Sequence, residues 1–341
     1  MSDLKARPAP DAAPAAPASA SRPRPRIRGV GEVAALVVLV VVFAVLNPGT
    51  FLTLDNLRTV LDQAALPLVI GVGATLVILM GSIDLSVEGV MGAAGMTFVL
   101  LSANDRNGLD LGLGAFVVAV AVGLALGLLT GLIHTLLKVP SFIVTLGVWY
   151  VGLGIATLLF GQAAIPFLTS DGLTSWPSDT TLGLPHSFLL AFVVVALGAL
   201  VSRFTRLGRY AFAIGADEQI AQDNGVPVGR YKLYVFALAG GCSALAGIVG
   251  SLQLGAGAAN VGIGNLFLTI AAVVIGGTAL GGGKGGVLRT ALGVVLLTVL
   301  NNGLILSGVS PNIQSAVSGV VLIVAIAAAG WAYRGRLRIA K

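Results

Sequence analysis

The chain has 341 residues, of which 56% are hydrophobic and 10% are charged, with 47 glycines and a single cysteine. Soluble domains carry roughly a quarter charged residues, so this composition excludes a water-soluble protein. The net charge of +6 does not indicate nucleic acid, because the basic residues flank apolar segments as they do in membrane proteins.

Three regions follow from composition. Residues 1–28 are rich in proline and alanine and cannot bury a core, so we predict a disordered cytoplasmic tail. Residues 29–334 are predicted to form one transmembrane domain, interrupted by a long polar loop at 202–233. Residues 335–341 are predicted to be a basic cytoplasmic tail. The first apolar run is not followed by a cleavage pattern, so we interpret it as an uncleaved span.

Apolar segments dominate the transmembrane domain. A helix needs about 20 mostly apolar residues to cross a bilayer. The sequence therefore predicts an all-α polytopic membrane protein with about ten spans, some short or broken. The candidates are Val30–Leu46, Ala64–Met80, Val87–Ser102, Leu111–Leu137, Phe142–Phe160, Ser187–Val201, Leu233–Leu252, Leu266–Leu280, Leu288–Ser307 and Ile313–Tyr333.

The distribution of positive charge predicts the orientation. If ten spans alternate from a cytoplasmic N-terminus, all of the 20 lysines and arginines except Arg58 and Arg106 fall on the inner side. Cytoplasmic segments of membrane proteins carry this excess of positive charge. Both termini are therefore predicted to be cytoplasmic.

Two local patterns concern helix packing. Residues Thr53–Gln63 alternate charged and apolar positions, which predicts a helix lying in the outer interface or an N-terminal extension of the second span. Small residues let helices approach closely in membranes, so a face of glycines predicts packing. Such faces are formed by Gly123, Gly127 and Gly131, and by Gly147, Gly152 and Gly154.

A polar segment, Gly81–Gly89, interrupts the apolar stretch after the second span. One interpretation is a broken helix at membrane depth that faces the transport path. The other, which we favour for Asp84, is a tight cytoplasmic turn capped by that residue or by Ser86. Glu88 lies one turn into the next span and is harder to place in a turn.

The other polar positions do not indicate a phosphate-binding, metal-binding or catalytic site. The glycine-rich segment Gly276–Gly286 does not fit a phosphate loop, because Thr278 and Gly285 stand where glycine and serine or threonine are required. Asn301 and Asn302 could hold a neighbouring helix or meet a polyhydroxyl solute. The histidines lack ligand-spaced companions, so neither a metal site nor an enzyme is predicted.

The polar loop at 202–233 is the most informative stretch. Its centre, Asp217–Asn224, predicts a short helix that is stopped by Gly225, with Pro227 just beyond. A short amphipathic helix on a basic loop between two spans is suited to docking a soluble partner.

Four blocks of the sequence resemble the membrane permease subunits of bacterial ATP-binding-cassette importers for monosaccharides, the ribose/xylose/galactose group. They occur in the family's order, and the resemblance runs from about Asn47 to Leu306. The blocks are Thr75–Gly89, Thr205–Val226, Ala271–Gly286 and Leu300–Ser310.

The resemblance implies two permease copies in the inner membrane, contacting lipid, with two ATPase subunits beneath and a periplasmic or lipid-tethered sugar-binding protein above. The permease would then hold no cofactor, because ATP is bound by the partner ATPase. It also implies that the helix in the polar loop is a coupling helix that fits a groove on the ATPase. Its residues would be Asp217, Glu218, Gln219, Ile220, Asp223, Asn224 and Gly225.

The chain departs from the family at three places. Glu88 replaces a glycine, Leu266–Thr269 replaces a stretch with an acidic Glu and Asp, and the Glu-Ala-Ala of the coupling helix is degenerate. Specificity or gating is expected to differ accordingly, and the sugar is not assigned. The candidate residues of the substrate path are Glu88, Thr269, Asn301 and Asn302.

Three other functions are kept as alternatives. A branched-chain amino-acid permease of a related importer shares the general plan. An ion-coupled secondary transporter would need buried carboxylates, for which only Glu32, Asp84 and Glu88 are candidates. A channel or structural membrane protein would need no ATPase.

Overall fold

The computed structural model describes residues 30–331, so the predicted tails 1–28 and 335–341 lie outside the described residues. Apart from one small hairpin, the regular elements of this region are helices. They are α1 (Val30–Leu46), α2 (Leu54–Leu79), α3 (Val87–Leu101), α4 (Leu113–Leu136), α5 (Ser141–Phe160), α6 (Asp171–Ser175), β1 (Thr180–Thr181), β2 (Leu184–Pro185), α7 (His186–Phe204), α8 (Arg206–Ala216), α9 (Glu218–Asp223), α10 (Val228–Leu254), α11 (Asn265–Ile275), α12 (Val287–Leu306) and α13 (Pro311–Trp331).

Six helices of the described region are long and apolar enough to cross a membrane, namely α2, α4, α5, α7, α10 and α12. The helices α1, α3 and α11 are apolar but shorter. The prediction of an all-α polytopic membrane protein is thereby confirmed.

Helix α2 includes most of the segment Thr53–Gln63, for which the sequence left two interpretations open. It begins at Leu54, after Thr53 accepts a hydrogen bond from the Asn56 backbone N–H at 3.2 Å, and continues to Leu79. The separate interfacial helix over Thr53–Gln63 is therefore wrong, and the N-terminal extension of the second span is correct. With 26 residues, α2 is about 39 Å long, which exceeds a hydrocarbon core of about 30 Å.

Helices α2 and α10 form the centre of the bundle, and 83% of the apolar window of each is buried. Helix α4 lies antiparallel to α10, with its glycines directly on the α10 backbone. A methyl group at Gly127 would lie 2.2 Å from the Phe236 carbonyl oxygen, and one at Gly131 would lie 2.9 Å from the Leu233 Cα. The prediction that this glycine face packs a neighbouring helix is confirmed.

The glycines of α5 behave differently from one another. Gly152 packs against the backbone of Gly89 in α3, as predicted for a packing glycine. Gly147 and Gly154 have no atom of residues 30–331 within 4 Å of an added methyl group, so the packing predicted for them is absent among the described residues. Their positions point away from α3, and the sequence spacing alone does not distinguish the two sides of the helix.

The bundle has two ends. The α9 end contains α8, α9 and the start of α10, and the far end contains the start of α2 and the end of α10. At the far end the Asp62 side chain of α2 accepts hydrogen bonds from Ser187 of α7 and from Gln253 of α10, the latter at 2.9 Å. Three helices are thus joined by one carboxylate.

The glycine contact between α4 and α10 makes a testable prediction. Gly127→Ala should lower the stability of the fold by about 1–3 kcal/mol, because the methyl group has no space against a backbone oxygen. Gly154→Ala is the matched control, since it adds the same group to open space. The measurement is the thermal unfolding midpoint of each purified variant in detergent. Equal midpoints for the two variants would contradict the packing described here.

Candidate functional site

Helix α9 lies in the polar loop where the sequence predicts it. Asp217 precedes it, and its Oδ1 accepts a hydrogen bond from the Ile220 backbone N–H at 3.0 Å. Asn224 follows it and donates from its side-chain amide to the Ile220 carbonyl oxygen at 2.8 Å. The chain then turns at Gly225, whose φ is +81°. Such N-cap and C-terminal residues delimit a helix, so the predicted helix and its stop are confirmed.

The outer surface of α9 combines polar and apolar side chains. Ala221 is its one buried residue, and the others are exposed. Gln219 donates a hydrogen bond to Asp223 one turn later at 3.0 Å. Ile220, between them, is 59% exposed. A short helix that presents an apolar side chain in this way can be held in a groove of another protein.

Glu218 is bonded within the chain rather than free for a partner. The Lys232 Nζ of α10 donates to both carboxylate oxygens of Glu218 at 2.8 Å. The Lys232 residue is 8% exposed, whereas the Glu218 side chain is half exposed. A lysine buried this far requires a partner. The ion pair therefore fixes α9 to the first turn of α10. Sequence reasoning missed Lys232 because no regular helical spacing connects the two residues.

Helix α8 supports α9 from within the bundle. Thr205 caps α8 by accepting a hydrogen bond from the Gly208 backbone N–H at 3.4 Å. Near its end, a methyl group at Gly215 would lie 1.8 Å from the Leu79 carbonyl oxygen of α2 and 2.6 Å from the Gly283 nitrogen. The backbone just before α9 is therefore in direct contact with α2 and with the glycine-rich turn after α11.

The chain between α2 and α3 re-enters the bundle instead of forming a surface turn. After α2 ends, residues 82–86 have no regular secondary structure, and Ser82, Asp84 and Ser86 are buried. The Ile83 nitrogen donates to Ser141 Oγ at the start of α5, at 3.0 Å. Helix α3 then begins part-way up α5, because Gly89 packs against the Trp149 backbone.

The tight turn favoured for Asp84 is wrong, because the residue is only 6% exposed and the segment lies within the bundle. The structure agrees with the broken helix as a backbone feature, and the expectation that this break faces the transport path stays a prediction. Asp84 Oδ1 accepts from the Ser86 backbone N–H at 2.8 Å and from Ser86 Oγ at 2.6 Å, just before α3. The N-cap of α3 is Ser86, whose side chain makes no capping hydrogen bond.

A second break lies between α10 and α11. Residues 255–264 return from the far end into the bundle, where the Ala259 carbonyl oxygen lies against Gly92 of α3. Helix α11 then runs towards the α9 end, in the direction opposite to α3. Two half-helices that begin inside a bundle and run in opposite directions are a known arrangement in membrane transporters.

Glu88 lies where these half-helices meet. It is 8% exposed, and its Oε1 accepts hydrogen bonds from the backbone N–H groups of Gly264 and Leu266, at 3.0 and 3.2 Å. Thr269, in the next turn of α11, is 1% exposed, and its hydroxyl has no hydrogen-bond partner within the described region. Thr269 lines a narrow cleft together with Asp84 and Ile270. The structure thus places Glu88 and Thr269, two candidate path residues, in the same part of the bundle.

The paired asparagines of α12 lie elsewhere, towards the far end. Asn302 exchanges two side-chain hydrogen bonds with Asn56 of α2, at 2.9 and 3.1 Å, and Asn56 also donates to the Phe51 carbonyl oxygen. Of the two uses left open by the sequence, Asn302 therefore shows the one that holds a neighbouring helix. Asn301 also has an interaction within the protein.

The glycine-rich turn between α11 and α12 is a packing element. A methyl group at Gly285 would lie 2.3 Å from Thr278 Oγ1, and that hydroxyl accepts from the Gly286 backbone N–H at 3.3 Å. The Gly283 nitrogen donates to the Leu79 carbonyl oxygen at 2.9 Å. The turn therefore closes on itself and on α2, as expected of a tight turn rather than a phosphate loop.

Comparison with known proteins identifies the family. Residues 56–326 match the family described as "Branched-chain amino acid transport system / permease component". The chain belongs to this family of ATP-binding-cassette transporter permeases. It is 36% identical over 250 residues to the ribose import permease protein RbsC of Bacillus subtilis (strain 168), covering 72% of this chain and 75% of that protein.

Two further relatives come from Escherichia coli (strain K12). The probable ABC transporter permease protein YphD is 35% identical over 252 residues, and the D-allose transport system permease protein AlsC is 32% identical over 244 residues. Each comparison covers 72% of this chain and 74% of the relative. No solved structure matches the chain. The permease is accordingly a multi-pass protein of the bacterial inner membrane.

The ion pair between α9 and α10 can be tested without transport. Glu218→Ala should leave the buried ammonium of Lys232 unpaired and weaken the attachment of α9 by about 1 kcal/mol, which is about fivefold in the population of the detached state. The measurement is the rate of proteinase K cleavage within the α9 loop of the permease in detergent, where local opening limits cleavage.

Asp223→Ala is the matched control, because it removes a carboxylate of the same helix that bonds only to Gln219. The double variant Glu218→Ala/Lys232→Met should be cleaved no faster than Glu218→Ala alone. Cleavage of Glu218→Ala at the control's rate would show that the pair does not hold α9.

Proposed function

We propose that this permease is the transmembrane subunit of an importer that carries a monosaccharide of the ribose, xylose or galactose kind across the inner membrane. The observation that carries this proposal is the similarity to permeases named for ribose, D-allose and galactofuranose. The subunit is not an enzyme and needs no cofactor, because a separate ATPase subunit binds and hydrolyses ATP.

We place ten crossings in the membrane, with both termini in the cytoplasm and the α9 end facing inwards. The ten are the six long helices together with α1, α3, α11 and α13. The charges of the described region support this orientation, because the far end carries only Arg58 and Arg106 as basic residues. Cytoplasmic ends of membrane proteins are enriched in lysine and arginine. At the α9 end stand Lys138, Arg203, Arg206, Arg209, Arg230, Lys232, Lys284 and Arg289.

In this orientation α9 is the coupling helix. We propose that Ile220 inserts into a groove of the ATPase, while Gln219 and Asp223 make polar contacts at its rim. Glu218 has the complementary role of transmitting the displacement of α9 to α10 through Lys232, at 2.8 Å. Closure of two ATPase subunits would then move the helices as rigid bodies, as in other domain rotations.

The far end would receive the sugar-binding protein. Its exposed carboxylates outnumber its two guanidinium groups, so the docking face of that protein should carry lysine and arginine. Docking should accordingly weaken as salt is raised. We further propose that two permease copies associate and that the sugar passes between them. The exposed carboxylates of the far end are Asp55, Asp105, Asp110, Asp171 and Asp179.

Among the candidate path residues, Thr269 is the best placed to meet a sugar. Its hydroxyl has no hydrogen-bond partner in the part of the chain that the structure describes, and sugar recognition depends on hydrogen bonds to such groups. Asn301 and Glu88 remain candidates for contact with the path. Asn302 is the weakest candidate, because its amide is already bonded to Asn56.

The coupling role of α9 makes a prediction about the ATPase. Ile220→Asp should reduce copurification of the ATPase subunit about tenfold or more, because a charge would enter an apolar groove. Gln222→Asp is the matched control, since it places the same charge on another face of α9. Both variants should insert into the membrane normally. Equal ATPase recovery from the two variants would exclude Ile220 as the contact.

The class of solute can be tested on the binding protein. We expect its melting temperature to rise with one of D-ribose, D-xylose, D-galactose or D-allose and to stay unchanged with L-leucine. The family description names branched-chain amino acids, so a rise with L-leucine alone would favour that alternative. Uptake should also survive dissipation of ion gradients and stop on ATP depletion; the reverse would favour an ion-coupled transporter.

A further inference from the structure

Helix α11 has no cap of its own. The first N–H groups of a helix have no partner inside it and need an acceptor from elsewhere. At the N-cap stands Gly264, with φ +91° and no side chain, and the side chain of Asn265 donates to the Gly262 carbonyl oxygen instead of accepting. Leu266, the second residue of α11, is 4% exposed, so water is not the ready substitute for its N–H that it is at a surface helix.

Glu88 of α3 supplies the missing acceptor. Its carboxylate accepts both the Gly264 and the Leu266 N–H, across 176 and 178 residues of sequence. Charge-assisted hydrogen bonds of this kind are about twice as strong as neutral ones. The carboxylate also lies near the N-terminus of its own helix, so the dipoles of both half-helices favour it there. One side chain therefore holds the inner ends of α3 and α11 together.

The other end of α11 contacts the coupling region. The turn that follows α11 donates from the Gly283 nitrogen to the Leu79 carbonyl oxygen, and a methyl group at Gly282 would lie 2.9 Å from the Gly215 Cα. Gly215 lies in the last turn of α8, two residues before Asp217, the N-cap of α9. With 11 residues, α11 is about 16 Å long and connects this region directly to Glu88.

We infer that Glu88 is a positioning residue whose two hydrogen bonds latch α11 to α3, and that displacement of the α8–α9 region reaches α3 through this latch. The inference rests on the proposed import function for its transport consequence, but the latch itself is independent of any solute. Loss of the carboxylate should free the start of α11 and disconnect the far half of the bundle from the ATPase.

The first test measures the latch alone. In nanodiscs, Glu88→Ala should raise amide exchange in peptides covering Gly264–Leu266 about tenfold or more, because two charge-assisted bonds are lost. Glu88→Gln keeps one acceptor oxygen and should lie between wild type and Glu88→Ala. Asp84→Asn is the matched control, since it removes a nearby buried carboxylate that bonds only to Ser86. Unchanged exchange in Glu88→Ala would overturn the latch.

The second test moves the carboxylate to the other helix. Leu266 is buried in the first turn of α11, where an acidic side chain is favoured by the unpaired N–H groups and dipole of the helix start. In proteoliposomes with the ATPase and the loaded binding protein, Glu88→Gly should lower sugar import per ATP hydrolysed about tenfold. Glu88→Gly/Leu266→Glu should recover most of the sugar import per ATP hydrolysed. Leu266→Glu alone places two carboxylates at the same buried contact, so its import per ATP hydrolysed should stay below that of the wild type.

The two tests separate the two proposals. If wild type imports no sugar but exchange responds as expected, the proposed function fails and the latch stands. If Glu88→Ala imports sugar with wild-type stoichiometry, the latch has no role in coupling and the inference is overturned. A purely structural role would lower the amount of folded protein without changing the number of sugars moved per ATP.

Discussion

The bundle depends on the requirement that backbone polar groups inside a membrane protein find partners within the protein. Two breaks in the helical path, one after α2 and one after α10, create such groups between the two ends of the bundle, where α3 and α11 begin. The first break is satisfied locally, by the Asp84 side chain and by Ser141 of α5. The second is satisfied at a distance, by Glu88. Two short helices can begin inside the bundle only if the backbone polar groups at both breaks have hydrogen-bond partners.

Close backbone packing brings these groups within reach of one another. Gly95 of α3 meets the Gly247 carbonyl oxygen of α10, and Gly262 meets the Cα of Glu88. Larger residues at these positions would separate α3 from the returning loop by more than a hydrogen bond can span. The high glycine content is thus not only a feature of the long helices; it determines the distance between the half-helices.

Sequence predicts much of this fold. The boundaries of α1, α9 and α12 agree within a residue or two, because apolar length, capping residues and glycine stops are local signals. The depth at which α3 begins was missed, since a 15-residue apolar run followed by a polar loop is also compatible with a short span. Contacts between distant residues, such as Glu218 with Lys232 or Asn56 with Asn302, leave no regular spacing to detect.

Two departures from the family pattern, which the sequence shows separately, are in direct contact in the structure. The sequence shows a glutamate at 88 where a glycine is common and an apolar segment at 266–269 where acids are common. In the structure the Glu88 carboxylate lies 3.2 Å from the Leu266 nitrogen. Knowledge of which helices meet was needed to connect them, and only the three-dimensional arrangement provides it.

The length of α2 has a consequence for the surrounding bilayer. Its first turns extend past the hydrocarbon, and there Asn56 is tied to α12 and Asp62 to α7 and α10. These contacts are hydrogen bonds between side chains of the protein, so they do not depend on the lipid. A thinner or thicker membrane would change how much of α2 stands in water, yet the four helix tips would keep their spacing. We therefore expect the spacing of these helix ends to change little with lipid composition.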